Sequence, residues 1–353
     1  MKTALIVGGY GNVGRTIARN LAQGSARLII AGRSLAKAQA LANELSGSAS
    51  ALAFDVGKFA DYTTALTGVD LVIMCLDLHN AALARHCLAA GIDYIDITAT
   101  RSILQDIEQL APVAQTNQAT ALLSVGLAPG LTNLLVKHCQ AQLPGMNAAD
   151  IFIQLGSGDA HGAAAIQWTL RNLNHGYTIQ EGGQPRAVES FTDGKQTTFP
   201  GQPRPCTAYR FDFSDQHTLP RTLGLDGVST RLCFDTAAMT QGFALLRHLG
   251  LTRLLNVAWI EKLATAALLR IHLGSSAFAI QAVGHSGASD CAPVSCTLQG
   301  EAEGRITALV AAQAARYLLS RDLAPGVLHL EQAFSLTDFL PQLQEAGVAF
   351  SER

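Results

Sequence analysis

Charge is scarce in this chain. Lys, Arg, Asp and Glu make up 15% of its 353 residues while 48% are hydrophobic, and a usual globular chain carries about a quarter charged. So few charges would leave a monomer with much apolar surface, which predicts that part of it is covered in an oligomer, a homodimer being the expected form. A formal net charge of −2, with the basic residues scattered, gives nucleic acid and anionic membranes nothing to recognise. A small-molecule substrate is the partner class that remains. The cysteines, at positions 75, 87, 139, 206, 233, 291 and 296, contain no CxxC pair and no Cys/His spacing typical of a metal site. They read as reduced thiols in a cytoplasmic protein, with no metal expected. No signal peptide is expected, because the sequence enters its first apolar run at Ala4. The most apolar long stretch, Leu254 to Leu273, is broken by Glu261, Lys262 and Arg270, so it predicts a buried or interfacial helix and no membrane span. Repeats, linkers and low-complexity tracts are absent as well.

What is present begins at once. Ala4-Leu5-Ile6-Val7 reads as a short buried strand and runs into Gly9-Tyr10-Gly11-Asn12-Val13-Gly14. This is the GxGxxG spacing of a dinucleotide-binding turn: Gly9 for a tight turn, Gly11 for close approach to a pyrophosphate, Gly14 for close packing of the next helix. The helix expected from Val13 to Leu21 then offers its N-terminus to the phosphates. A second strand, Arg27 to Ala31, ends in Gly32-Arg33-Ser34. An NAD site places a carboxylate there for the ribose 2′-OH. A guanidinium and a hydroxyl suit a 2′-phosphate instead, so NADP is expected over NAD. Ser34 also stands where it would cap a helix over Leu35 to Leu45.

Further strands are expected at 51–54, 69–76, 94–97 and 119–125, alternating with helices near 61–66, 81–90 and 104–115. Asp55 and Val56 fall at the third strand end, with Asp55 placed to accept from an adenine amine, and Cys75 and Leu76 at the fourth, beside the cofactor. Such alternation predicts an α/β fold: a Rossmann doubly wound parallel sheet over residues 1–126, with its ligand crevice at the carboxyl ends of the strands. Residues 127–303 read as a second, α+β domain for substrate and dimerisation, with strands at 151–155, 208–213, 229–234, 277–283 and 293–298 and helices at 163–173, 240–249 and 254–272. Glu181 to Pro205 reads as a hairpin and loop. Residues 304–353 read as C-terminal helices packing back on the first domain.

Four segments together resemble the saccharopine dehydrogenase-like family of nicotinamide enzymes, which includes saccharopine reductases, lysine 6-dehydrogenases and carboxynorspermidine synthases. They are Gly8 to Gly14, Ala31 to Ser34, Cys87 to Thr98 (CLAAGIDYIDIT) and Gly126 to Asn133 (GLAPGLTN). The resemblance covers about residues 1–135. It implies an NAD(P)-dependent oxidoreductase acting on a C–N bond, by amine oxidation or by reductive condensation of an amine with a carbonyl compound, with a small amino-acid-like or polyamine-like substrate. Two departures matter: Ala128 stands where many members carry Asp, and Asp77 where many carry Pro. With a chain short for a saccharopine reductase, they argue against saccharopine itself as substrate.

Hydride transfer also needs a group that moves the substrate proton. Asp77 and His79 follow the fourth strand, where the nicotinamide should pass, and His79 has the side chain whose ordinary pKa suits the task. In the second domain, Gly156-Ser157-Gly158-Asp159-Ala160-His161-Gly162 leads into a helix with Trp168 and Arg171 on one face; His161 is a third proton-transfer candidate. Thr98, Arg101, Trp168 and Arg171 are the candidate substrate contacts. Two other readings stay open: reduction of a C=O or C=C bond, and a catalytically silent NADP-binding sensor or scaffold.

Overall fold

A computed structural model describes the chain except for residues 46, 48, 59–61, 159–162, 269–273, 288–290 and 321–322. The chain begins β1 (Thr3–Val7), α1 (Asn12–Leu21), β2 (Arg27–Gly32), α2 (Leu35–Glu44), β3 (Ala49–Ala53), α3 (Tyr62–Ala65), β4 (Leu71–Met74), α4 (Ala82–Ala89), β5 (Asp93–Asp96), α5 (Arg101–Glu108), α6 (Ala111–Thr116) and β6 (Thr120–Leu123). β1, β4 and β6 are buried along their whole length. This is why they read as continuous apolar runs without alternation: a parallel sheet is covered on both faces.

The chain continues as α7 (Thr132–Gln142), β7 (Met146–Leu155), α8 (Ala163–Asn172), β8 (Gly176–Glu181), β9 (Gln184–Glu189), β10 (Lys195–Thr197), β11 (Cys206–Arg210), α9 (Asp215–Leu223), β12 (Gly227–Phe234), α10 (Ala237–His248), a 3₁₀ segment (Leu251–Asn256), α11 (Ala258–Leu268), β13 (Ala277–Ser286) and β14 (Val294–Glu301). It ends with α12 (Glu303–Ser320), β15 (Gly326–His329), α13 (Leu330–Ala333), α14 (Leu340–Glu345) and β16 (Ala349–Glu352).

Two compact units result: Met1–Gly130 with Gly304–Phe334, and Leu131–Glu303 with Ser335–Arg353. The first holds a seven-stranded parallel sheet in the order β15-β6-β5-β4-β1-β2-β3. Strand order reverses between β1 and β4, and the crevice at the carboxyl ends there is where such sheets take ligands. The second holds a mixed sheet, β10-β11-β12-β7-β13-β14-β16, and a separate hairpin of β8 and β9. The fold is α/β, Rossmann-like in its first unit.

The structure departs from the sequence reading at the C-terminal end. Residues 304–334 do join the first unit, but 335–353 do not, because β16 pairs antiparallel with β14 in the second sheet. The hairpin also lies earlier than expected. Its strands begin at Gly176 and turn through Gly182 and Gly183, both with positive φ, a pair of conformations that a tight hairpin turn requires. No helix among the described residues is long and apolar enough to cross a membrane.

Candidate functional site

The glycine loop is built by close backbone approach. Gly8 N and Gly9 N both donate to Ala31 O, at 2.9 and 3.1 Å, and Gly11 N donates back to Gly8 O at 2.9 Å. The left-handed residue of the turn is Gly8, at φ +78°, and not Gly9. Gly9 is required for another reason: a Cβ there would stand 2.8 Å from Ile6 O. At Gly14 it would stand 2.5 Å from Gly8 O. Gly11 is the N-cap of α1 and, without a side chain, cannot satisfy the amides of the first turn itself. That turn holds no acidic residue, so nothing there opposes a phosphate. Asn12 and Val13 lie on this rim, exposed and half-buried.

Tyr10 does more than border the loop. Its ring lies over Gly32, where a Cβ would sit 2.5 Å from Tyr10 Cε1, and its hydroxyl accepts from Ser34 N at 3.0 Å. The ring thereby fixes the end of β2 against the glycine turn. Arg33 is exposed at that strand end. Ser34 caps α2, accepting from Lys37 N at 3.4 Å, and its hydroxyl keeps a second lone pair and a proton. Lys37, which the sequence reading passed over, adds an exposed cation in the first turn of the same helix. No carboxylate stands at this strand end, so the cradle fits a 2′-phosphorylated dinucleotide. Asp55 is half-buried and turns one oxygen on its own Gly57 N at 3.1 Å, while Val56 O accepts from Tyr62 Oη at 2.6 Å. Cys75 is half-buried with its thiol pushed up by burial and by the nearby Asp96 carboxylate, which makes it a packing group. Leu76 is exposed, with its side chain against Gly8.

Beyond β4 and β5 lies a hydrogen-bonded chain of side chains. Asp77 Oδ1 accepts from Thr98 Oγ1 at 3.0 Å and from Thr100 Oγ1 at 3.1 Å. Thr98 N donates to Asp96 Oδ1 at 2.8 Å, and Tyr94 Oη donates to Asp96 Oδ2 at 2.9 Å. Asp96 is 2% exposed. Burial drives its pKa up to about 7, against the pull of the Thr98 and Tyr94 hydrogen bonds and with a further push from Asp77. Asp77 itself is exposed, and no described residue donates to its Oδ2. The structure thus brings Asp77 and Thr98 together and leaves His79 and Arg101 as exposed side chains that no described residue holds.

A further chain was not foreseen. Ser124, with φ +55° at the end of β6, lies 2.8 Å from His329 Nδ1, and His329 Nε2 lies 2.9 Å from Glu108 Oε1. Since the His329 side chain also accepts from the Gln332 backbone, the ring proton belongs on Nε2, facing the carboxylate. Ser124 is 0% exposed, so this Ser–His–Glu chain offers no nucleophile and instead fastens β15 beside β6.

In the second unit His161, with Asp159, Ala160 and Gly162, lies outside the described residues. Trp168 packs on Phe211 and Phe213, with ring centroids 5.6 and 5.2 Å apart, and Arg171 Nε binds Glu261 at 2.7 Å. Trp168 is thus packed among aromatic rings, while Arg171 is paired through Nε with its side chain still 58% exposed. At the ends of β7, β12 and β13, Asp235 accepts from the amides and hydroxyls of Ser157 and Ser275. Burial alone would raise its pKa, but these bonds hold it down at about 2.

Residues 4–122 match the family model of the saccharopine dehydrogenase NADP-binding domain. No curated protein sequence matches the chain. Among solved structures, the apo saccharopine dehydrogenase (L-Glu forming) of Saccharomyces cerevisiae is 16% identical, with a TM-score of 0.71 over 100% of this chain and 99% of that one. A meso-dapdh variant of Clostridium tetani E88 is 13% identical over 98% and 99% of the two chains, at a TM-score of 0.44. The 3-ketoacyl-(acyl-carrier-protein) reductase of Brucella melitensis, complexed with NADH, is 19% identical over 35% of this chain and 75% of that one, at 0.27.

Proposed function

We propose that the chain is an NADP-dependent oxidoreductase of the saccharopine dehydrogenase-like type, as the match of residues 4–122 and the shared fold suggest, and that it acts on a C–N bond, oxidising a small amino-acid-like or polyamine-like amine or running the reverse condensation. The observation that supports this reading is Asp77. Two hydroxyls hold one of its oxygens and leave the other open at the end of β4, beside the point where strand order reverses. A carboxylate so placed attracts an ammonium and can take its proton, whereas it offers nothing to a neutral ketone or alkene.

When bound, NADP supplies the hydride acceptor or donor. The protein does the rest. The glycine loop and the N-terminus of α1 hold the pyrophosphate, and Arg33, Ser34 and Lys37 hold the 2′-phosphate. Asp77 Oδ2 orients the amine and takes its proton, so that the neutral amine can release hydride. Thr98 and Thr100 keep that carboxylate in place. NADPH oxidation against amines paired with 2-oxo acids and aldehydes tests the proposal. Turnover only when an amine is present supports it; equal turnover with the carbonyl compound alone overturns it.

We also propose that the chain works as a homodimer. Leu245, Leu246, Leu249, Leu251, Leu254, Val257, Trp259 and Leu263 are 42–67% exposed within one stretch of α10, the 3₁₀ segment and α11. Together they expose on the order of 800 Å² of largely apolar surface, one side of a standard interface and more than a typical monomer leaves open. A second copy supplies a face of the same size and character.

A further inference from the structure

The spacing of cysteines and histidines along the chain predicted no metal site, yet folding brings three potential ligands together from distant positions. His138 on α7, Cys296 on β14 and Glu352 on β16 place one ligand atom each within 4.8 Å of one another. Cys296 and Glu352 are direct partners across the two strands, and the His138 ring is steadied edge-on against Phe350 at 5.5 Å.

The geometry of the outer part of this cluster points to a cation. His138 Nε2, Glu352 Oε2 and the side-chain amide of Gln142 form a triangle whose three edges are all 3.0 Å. Protons cannot satisfy all three edges at once, because a ring nitrogen can donate to Glu352 or accept from Gln142 but not both. With a lone pair on Nε2, imidazole and carboxylate face each other acceptor to acceptor; with a proton there, imidazole and amide meet donor to donor. The oxygen and nitrogen of an amide are interchangeable by a flip. Turning Gln142 brings Oε1 to the same corner and makes the triangle three electron-pair donors. Tetrahedral bonds of about 2.0–2.2 Å from a central zinc to nitrogen and oxygen ligands set neighbouring ligand atoms about 3.3–3.6 Å apart, so an ion would spread the observed 3.0 Å edges by a few tenths of an ångström. The fully buried Cys296, whose thiol also meets that of Cys139, places its sulfur within 4.8 Å of the His138 and Glu352 ligand atoms. A mixed N, O and S set suits zinc, which all three ligand types bind, better than magnesium or calcium, which want oxygen alone.

We propose that His138, Cys296 and Glu352 bind a zinc ion, with Gln142 Oε1 or a water completing four-fold coordination, and that the ion fastens the last strand to α7 and β14. The experiment is a titration of the metal-free full-length protein with Co²⁺, followed by displacement with Zn²⁺. One equivalent of cobalt should bind and give a thiolate-to-metal charge-transfer band. Zinc should abolish the band and raise Tm, since a ligand held only by the folded chain stabilises it. His138→Gln, at a half-buried position, and Glu352→Gln, at an exposed one, should weaken zinc binding at least about tenfold, and Cys296→Ser should remove the band. If the buried Cys296 substitution unfolds the protein, the His138 and Glu352 variants still decide. A folded wild-type protein that gives no thiolate band, or affinity unchanged in both the His138 and Glu352 variants, overturns the proposal.

Discussion

At the level of single residues, the end of β2 carries the proposed preference for NADP. Arg33→Asp places a carboxylate where the 2′-phosphate would sit, so NADPH should bind roughly 10- to 100-fold more weakly while NADH is held as well or better; fluorescence titration of both nucleotides checks it. At the end of β4, Asp77→Asn keeps the hydroxyl contacts but cannot take a proton. Turnover should fall by about 10² or more, with NADPH affinity unchanged, in single-turnover and binding assays. Asp96 carries a stability signature. Its folded pKa, raised to about 7 from the ordinary 3.8, means that the folded state holds a proton the unfolded chain gives up. Stability associated with this group is therefore complete below about pH 4 and lost as pH rises towards 7, by about 4 kcal/mol in all. Denaturant unfolding at intervals from pH 5 to 8 should show this slope, and Asp96→Asn should flatten it.

At the level of elements, the parts legible in the sequence were those whose physics is local. The strand–turn–helix at residues 3–21 could be read because each glycine is required by atoms a few residues away, as when Gly14 faces Gly8 O. Gly14→Ala should accordingly weaken both folding and nucleotide binding, which thermal unfolding with and without NADPH would show. The parallel strands were legible as apolar runs. The Asp77–Thr98–Asp96 chain was not, since its meeting depends on the pairing of β4 with β5, where Met74 lies beside Asp96. β7 begins at Met146, earlier than the apolar run from Ile151 suggested, because Asn147 to Asp150 carry little strand preference of their own. They are drawn into the sheet by partners on both sides. β16, only four residues long, offers no periodicity to read, and the His138, Cys296 and Glu352 cluster stays hidden for the same reason.

For the whole molecule, the sparse charge foretold exposed apolar surface, and the structure concentrates it on α10, the 3₁₀ segment and α11. If a second copy covers that face, Trp259→Glu with Leu263→Glu should yield a monomer by sedimentation while leaving nucleotide binding intact. A dimer that persists in the double variant would place the interface elsewhere. The order in which the chain fills its two units has a consequence for synthesis. β6 is paired on one side by β5 and on the other only by β15, some 200 residues later. At about 5–20 residues per second, a ribosome leaves the apolar β6 edge of the nascent Rossmann unit open for roughly 10–40 s while residues 131–303 of the second unit emerge. Through that interval the unfinished sheet is a template for strands from other chains, until β15 arrives and Ser124, His329 and Glu108 fasten it shut.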